Sequence, residues 1–422
     1  MERDEDRERA ESGDAVVITG SSAWTCFGRG VERLLQAIEE GRREPKQVLG
    51  FDTSDPWFLT REAMQVPPEP TIRSSLDDRT RPVDRQSWSL NLAVETALDA
   101  IVDAGRPHAI VDARRMGVLV GSSHGTNHGM IEHLERGLAG ETPDPELLAE
   151  TPSLAAHAIA LRLATCGPAI ALNTACSAGA NAIGQAWHML RDRRIDCAVA
   201  GGYDTFSRLS FTGFNSLRAL DPQGCRPFDV TRAGLSLGDG AAFFVLEREV
   251  DARARGATIL GRLTGYGCGG EAYHPTAPNP EGAGIFAAMQ QALATDPAPE
   301  ELTIVSAHGT GTPANDAAEA TAIDRLCQAI PAREVVQVAS LKSQTGHSLG
   351  AAGAVQAVAA LACARAGIRP ATIGLRQPIA HSPRISFPRA PGRGPIPLAL
   401  CNALGFAGSV AALALRPSQS ER

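Results

Sequence analysis

Ala169-Ile170-Ala171-Leu172-Asn173-Thr174-Ala175-Cys176-Ser177-Ala178-Gly179 is the stretch that decides the architecture. Its first four residues are apolar without alternation, the pattern of a strand buried on both faces. A short polar turn follows, and residues 180–190 then read as a helix. A buried strand running through a tight turn into a helix is the repeating unit of an α/β fold. Cys176 falls in that turn, close to a helix N-terminus, where the partial positive charge favours thiolate over thiol.

Working outward, the same alternation fills the chain. Upstream and just downstream, buried strands are expected at 15–20, 117–121, 197–202 and 241–246, with helices at 30–40, 89–104 and 153–163. A second series places strands near 303–307, 335–340, 398–404 and 410–415, and helices near 282–294, 317–329 and 349–366. This divides the chain into halves at 14–256 and 257–416, with tails at 1–13 and 417–422. The shared alternation is compatible with an internal duplication, although no sequence repeat is visible. Residues 1–13 mix acids and bases with no apolar period and read as a disordered tail. Residues 376–397, rich in Pro, Arg and Gly, read as a surface loop. The uncharged segment at 348–364 contains Gln356 and falls short of the roughly 20 apolar residues of a membrane span. It reads as a buried helix.

Composition narrows the function classes. The 422 residues are 43% hydrophobic but only 5% aromatic, so close backbone contacts among Ala and Gly must supply much of the packing. A net charge of -7 argues against nucleic-acid binding, and an acidic partner would need a local basic patch. Nine cysteines, an odd number without a CxxC pair, and a charged N-terminus suggest reduced thiols in the cytoplasm. No zinc site or disulfide framework is expected.

Three further segments carry chemistry. Ser306-Ala307-His308-Gly309-Thr310-Gly311-Thr312-Pro313 sets His308 just after an apolar strand. Leu341-Lys342-Ser343-Gln344-Thr345-Gly346-His347-Ser348-Leu349-Gly350 holds Lys342 and His347 before the small-residue helix. Asn402-Ala403-Leu404-Gly405-Phe406-Ala407-Gly408-Ser409 is a glycine turn between strands. Sites in open α/β sheets gather at the carboxyl ends of strands, where all four segments lie. A cysteine can serve as nucleophile, neutral imidazoles can donate to a developing oxyanion, and a lysine can tune its neighbours. Taken singly, each of these residues reads equally as structural; together they point to acyl transfer.

Thr174-Ala175-Cys176-Ser177, Ala307-His308-Gly309-Thr310-Gly311-Thr312 and Lys342-Ser343-Gln344-Thr345-Gly346-His347 resemble the three active-site motifs of the β-ketoacyl-ACP synthases, of the elongating Cys-His-His type. Arg226-Pro227-Phe228-Asp229, Gly238-Asp239-Gly240-Ala241 and Tyr273-His274-Pro275-Thr276-Ala277-Pro278 extend the likeness over nearly the whole chain. The resemblance implies a thiolase-like α/β fold: two similar halves with stacked mixed sheets around central helices. It implies a decarboxylating Claisen condensation of malonyl-ACP with an acyl group carried on the cysteine. No cofactor is bound; substrates ride on the phosphopantetheine of an acyl carrier protein. The family's members are dimers, here a homodimer or a heterodimer with a related chain-length subunit, with neither nucleic acid nor membrane as partner.

By position, Cys176 would be the acylated nucleophile, and His308 and His347 would stabilise the enolate oxygen. Lys342 would hold the charge network, paired with Glu319. The main-chain N–H groups of Cys176 and Phe406 would form an oxyanion hole, with Phe406 also gating the acyl tunnel. Arg218 matches a carrier-docking arginine, and Arg73, Arg79, Arg81 and Arg85 form a second basic cluster. The chain departs from the family pattern at Leu404, Ala407 and Val410 in the last motif, which suggests a stiffer gate. His124 would stand at the bottom of the acyl pocket and Leu404 on its wall, suggesting that long saturated chains are poor substrates. These departures hint at a specialised type II polyketide or polyene pathway. Rival readings are a non-catalytic chain-length subunit, disfavoured by Cys176; a serine hydrolase using Ser123 in Gly121-Ser122-Ser123-His124-Gly125; and a thiolase using Cys401.

Overall fold

The computed structural model describes residues 15–66, 88–125, 127–142, 151 and 153–418. The expected tail at 1–13 and the arginines Arg73, Arg79, Arg81 and Arg85 lie outside them. The N-terminal half contributes strands β1 (Val16–Thr25), β2 (Met116–Gly121), β3 (Ala169–Leu172), β4 (Cys197–Asp204) and β5 (Gly240–Arg248). The C-terminal half contributes β6 (Gly261–Gly270), β7 (Leu302–Ser306), β8 (Val336–Ala339), β9 (Ile385–Ser386), β10 (Leu398–Leu404) and β11 (Ser409–Pro417). With the short Gly28–Arg29 strand on β1, they form one twelve-stranded mixed sheet in the order β9-β8-β7-β10-β11-β6-β1-β5-β4-β2-β3.

That order contains the duplication. Leaving aside the two-residue β9 at the outer edge and counting the remaining strands within each half, both run third, second, fourth, fifth, first. In both, the second strand pairs parallel with the third and fourth. The fifth pairs antiparallel with the fourth and the first. The halves join where β1 and β6 meet antiparallel, Val16 opposite Leu263 and Ile18 opposite Gly261. Identical topology with no visible sequence repeat means that the pattern of burial, not residue identity, is what the two halves share.

The helices that position the site are α1 (Trp88–Asp103), α2 (Leu154–Arg162), α3 (Ala178–Arg191), α4 (Arg208–Ser216), α5 (Ala283–Ala294), α6 (Pro313–Ala329) and α7 (Ala352–Ala366). One core packs α3 and α7 between inward faces of both halves, with Ile18, Leu119 and Phe244 from one and Ile304, Ala399 and Leu413 from the other. A second core lies under α1 and α2 on the outside of the N-terminal half, and a third under α5 and α6 on the outside of the C-terminal half. The layering is helix, sheet, helix, sheet, helix. A helix apolar all round belongs in such an interior. Residues 349–366, long and apolar enough to cross a membrane, are 83% buried here as the central helix α7 and the turn before it.

Strand β6 is absent from the sequence reading because Gly265-Tyr266-Gly267-Cys268-Gly269-Gly270 looks like a turn. Two of its glycines are there for contact. A Cβ at Gly265 would come within 1.9 Å of the Ala292 carbonyl oxygen, and one at Gly267 within 2.0 Å of that of Ala288. Helix α5 thus lies directly on the strand backbone. The last strand also runs to Pro417, one residue beyond the expected end of the C-terminal half.

Candidate active site

Corresponding strands of the two halves end at one place. Cys176 follows β3, Lys342 and His347 follow β8, His308 follows β7, and Phe406 lies between β10 and β11. Cys176, His308, His347, Leu404, Phe406 and Arg218 all line a single cavity of about 360 Å³. Three of the turns hold a non-glycine residue in the left-handed region: Ala175 at φ 50°, Leu349 at φ 50° and Ala407 at φ 60°. Such conformations persist only where the surroundings impose them, and they cluster at functional sites. Gly405 shows one imposing contact: a Cβ there would lie 2.6 Å from the Thr174 carbonyl oxygen and 3.3 Å from the Cys176 nitrogen. The glycine turn therefore rests on the cysteine turn. Ser409 and Ser177 join the two turns through their hydroxyls at 2.9 Å.

Both histidines are buried, with ring centroids 5.3 Å apart and planes nearly perpendicular. The Leu349 N–H donates to Nδ1 of His347 at 3.2 Å. Lys342 Nζ stands 3.3 Å from Nδ1 of His308. An ammonium only donates, so both Nδ1 atoms are acceptors, and each neutral ring carries its proton on Nε2. Burial, followed by the Lys342 charge, pushes both imidazoles well below the ordinary histidine range. The pair therefore offers two neutral N–H donors beside a thiol. This suits an oxyanion that forms during reaction.

Electrostatics corrects one expectation. The Cys176 thiol is pushed up to about 12, chiefly by burial and against the pull of Lys342. A helix N-terminus supplies at most about 2 kcal/mol. That is less than the cost of carrying a thiol from 9.0 to about 12. Burial wins, and the resting group is a thiol.

A second correction concerns Lys342. Its ammonium contacts not Glu319 but the His308 carbonyl at 2.5 Å and the Gln356 Oε1 at 2.8 Å. The Glu319 carboxylate instead accepts the main-chain N–H groups of His308 and Gly309, each at 2.7 Å, and the Asn402 amide at 3.2 Å. Lysine and glutamate grip the His308 main chain from opposite polarities, because their nearest partners are backbone groups that burial leaves no water to satisfy. Burial raises Glu319 and lowers Lys342.

His124 is a third. It does not line the cavity. Its N–H and that of Ser123 donate to the Asp204 carboxylate at 3.1 and 2.7 Å. The same carboxylate accepts Ser122 Oγ at 2.6 Å and the Gly350 N–H at 2.7 Å. This buried hub draws the 122–124 turn onto Asp204, tying the N-terminal half to the segment after His347. Leu404 does line the cavity. Ser123 Oγ is buried without a hydrogen-bond partner, so no base activates it as a hydrolase nucleophile. Cys401 is buried in β10 and is absent from the cavity lining. Arg218 is exposed at the cavity, in a left-handed turn after α4.

Asp204 and Gln356 were missed by sequence reasoning. Gln356 had a signal: it is the one amide in a long uncharged run.

Comparison with known proteins came out in one direction. Residues 13–252 match the N-terminal domain of the beta-ketoacyl synthases, and residues 260–376 match the C-terminal domain. The chain is 33% identical over 420 residues to a 3-oxoacyl-[acyl-carrier-protein] synthase 2 of Rhizobium meliloti (strain 1021), covering 95% of this chain and 98% of that protein. Among solved structures, the ishigamide ketosynthase/chain length factor superposes with a TM-score of 0.85 at 32% identity, covering 96% of this chain and 99% of that one. A type II polyketide ketosynthase in complex with its acyl carrier protein, bound to a hexaketide, superposes with a TM-score of 0.84 at 27% identity, covering 96% and 99%.

Proposed function

The chain belongs to the β-ketoacyl synthase family and is a condensing acyltransferase of the 3-oxoacyl-[acyl-carrier-protein] synthase kind; from that premise we propose how its own residues divide the work. The observation that carries the reading is the buried Cys176 sharing one cavity with two neutral imidazoles. Cys176 attacks the acyl thioester on the carrier's phosphopantetheine and keeps the acyl group; the carrier's C–S bond breaks, and the proton given up by Cys176 leaves on the phosphopantetheine thiol. The Cys176 and Phe406 main-chain N–H groups receive the tetrahedral oxyanion. The close rest of Gly405 on Thr174 and Cys176 supports this pairing. Malonyl-carrier then enters and loses carbon dioxide. The Nε2–H groups of His308 and His347 stabilise the enolate, whose carbon attacks the acyl-Cys176 thioester; the acyl–Sγ bond breaks, the β-ketoacyl group stays on the carrier, and the released Cys176 sulfur takes a proton from water. Lys342 holds His308, and Glu319 holds the loop that carries it.

Arg218 at the cavity serves as a docking cation for an acidic carrier protein. The second subunit docks on strand β3. Among the described residues its outer edge has no partner strand, its four residues are half-buried, and Leu161 on α2 is exposed. A second copy or a related chain-length subunit suits that edge. The product enters a specialised polyketide or polyene pathway, a reading supported by the likeness to the ishigamide ketosynthase. With His124 outside the cavity, acyl selectivity rests on the cavity wall at Leu404.

Replacing Cys176 by Ala leaves the thermal unfolding profile intact and abolishes acyl transfer from carrier protein, read by mass spectrometry of the trapped thioester. Retained condensation in that variant overturns the assignment. Replacing His308 or His347 by Ala spares acylation more than decarboxylation; an equal fall in both steps overturns their roles.

A further inference from the structure

The sequence contains two lysines, Lys46 and Lys342; the other 38 of its 40 cationic side chains are arginines. Lys46 is exposed. Lys342 is 1% exposed, in the middle of the site. Arginine is permanently charged and broad, whereas lysine is compact and loses its proton when buried. A chain that uses arginine almost everywhere keeps a lysine where compactness and titration matter.

The ammonium has three protons and three acceptors: the His308 carbonyl at 2.5 Å, Gln356 Oε1 at 2.8 Å and His308 Nδ1 at 3.3 Å. Gln356 is itself fixed. Its Nε2 donates to the Ala307 carbonyl at 2.7 Å and faces the Ser306 and Asn402 carbonyls at 3.3 Å. A flipped amide would set its oxygen against three carbonyls and its NH₂ against an ammonium. The contact partner of Lys342 is therefore a neutral amide oxygen, held in one orientation.

Resting on the catalytic reading above, we propose that Gln356 is a positioning residue: it holds the Lys342 ammonium on His308 through a neutral acceptor, and so makes the proton of Lys342 the one whose loss switches the site off. Without that proton, two donors remain for three acceptors. The longest bond, to His308 Nδ1, is lost first, and His308 is no longer fixed as an Nε2–H donor. The other titratable groups around the ammonium are Cys176, Cys225, Asp316 and Glu319, with His347 across the cavity. Cys176 and Cys225 are both pushed up to about 12 by burial, and the two imidazoles stay neutral throughout. Burial raises Asp316, and raises Glu319 to about 7, so both lie below the ammonium at about 8 and the limb above 8 reads Lys342 against an ionised Glu319.

The test uses the full-length enzyme labelled with ¹³Cε-lysine, which gives two resonances. The Lys342 resonance is expected to titrate near 8. Malonyl-carrier decarboxylation is active below the Lys342 midpoint and falls above it. Gln356→Glu moves both the resonance midpoint and the basic limb up by about one pH unit. Gln356→Met moves both down, with acylation of Cys176 changed less than threefold. If Gln356→Glu does not fold, Gln356→Met carries the test in the opposite direction. A midpoint unmoved in every folded variant overturns the proposal, as does a moved midpoint with an unmoved basic limb. Because the resonance is read without turnover, an enzyme that decarboxylates at no pH overturns the catalytic reading while the Gln356–Lys342 linkage is still measured.

Discussion

Ala407 shows what one residue does to the turn between β10 and β11. It sits at φ 60° between Phe406 and Gly408, in a region that costs an L-residue about 1–2 kcal/mol. Its neighbourhood holds it there: the Ala407 N–H donates to the Pro275 carbonyl at 2.7 Å, and the Phe406 ring packs on Phe214 with centroids 5.9 Å apart. The strain at this alanine thus has a conformational cause. Ala407→Gly relieves the strain. It raises stability by up to about 1 kcal/mol in urea unfolding, and it speeds acyl loading, read in stopped-flow acylation. A loss of stability would contradict that account. At this scale the sequence was informative for reactive residues and silent about their partners. Cys176, His308 and His347 were legible from residue type and strand-end position. The Gln356 contact was not, because it joins residues fourteen apart across two helical segments and depends on which way an amide faces.

At the level of elements, two glycines of β6 make a controlled pair. Gly267 faces α5, where a Cβ would meet the Ala288 carbonyl at 2.0 Å, whereas Gly269 has nothing within 4 Å. Gly267→Ala forces the helix off the strand and costs about 1–3 kcal/mol. Gly269→Ala stays within about 0.5 kcal/mol of the parent. Equal urea midpoints for the two variants would show that α5 does not pack on this backbone. The same contrast explains why β6 escaped the sequence reading. Glycine marks turns and close approaches alike, and only the neighbouring helix distinguishes them. Strands β7, β8 and β10 were recognised because their apolar runs are buried on both faces, so their periodicity needs no knowledge of neighbours.

The molecule as a whole repeats one five-strand topology over a pair of central helices, and among the described residues the outer edge of β3 has no partner strand. An open apolar edge favours pairing with another chain. Ile170→Lys puts a charge on that edge. It is expected to lower the mass seen by light scattering to that of a single 44.2 kDa chain, or to release a co-purified partner subunit. An unchanged mass with a multi-chain assembly would move the interface elsewhere. The sequence by itself determined the α/β class, the two halves and the reactive residues, because burial on both faces of a strand and chemistry at strand ends are local properties. The tertiary structure alone decided three matters: that the halves share one strand order, that burial pushes the Cys176 thiol up, and that Lys342 hydrogen-bonds Gln356 while the Glu319 carboxylate, acting on it through charge, takes main-chain N–H groups. Each depends on which groups lose water together and which backbone atoms they then face, and those distances exist only once the chain has folded.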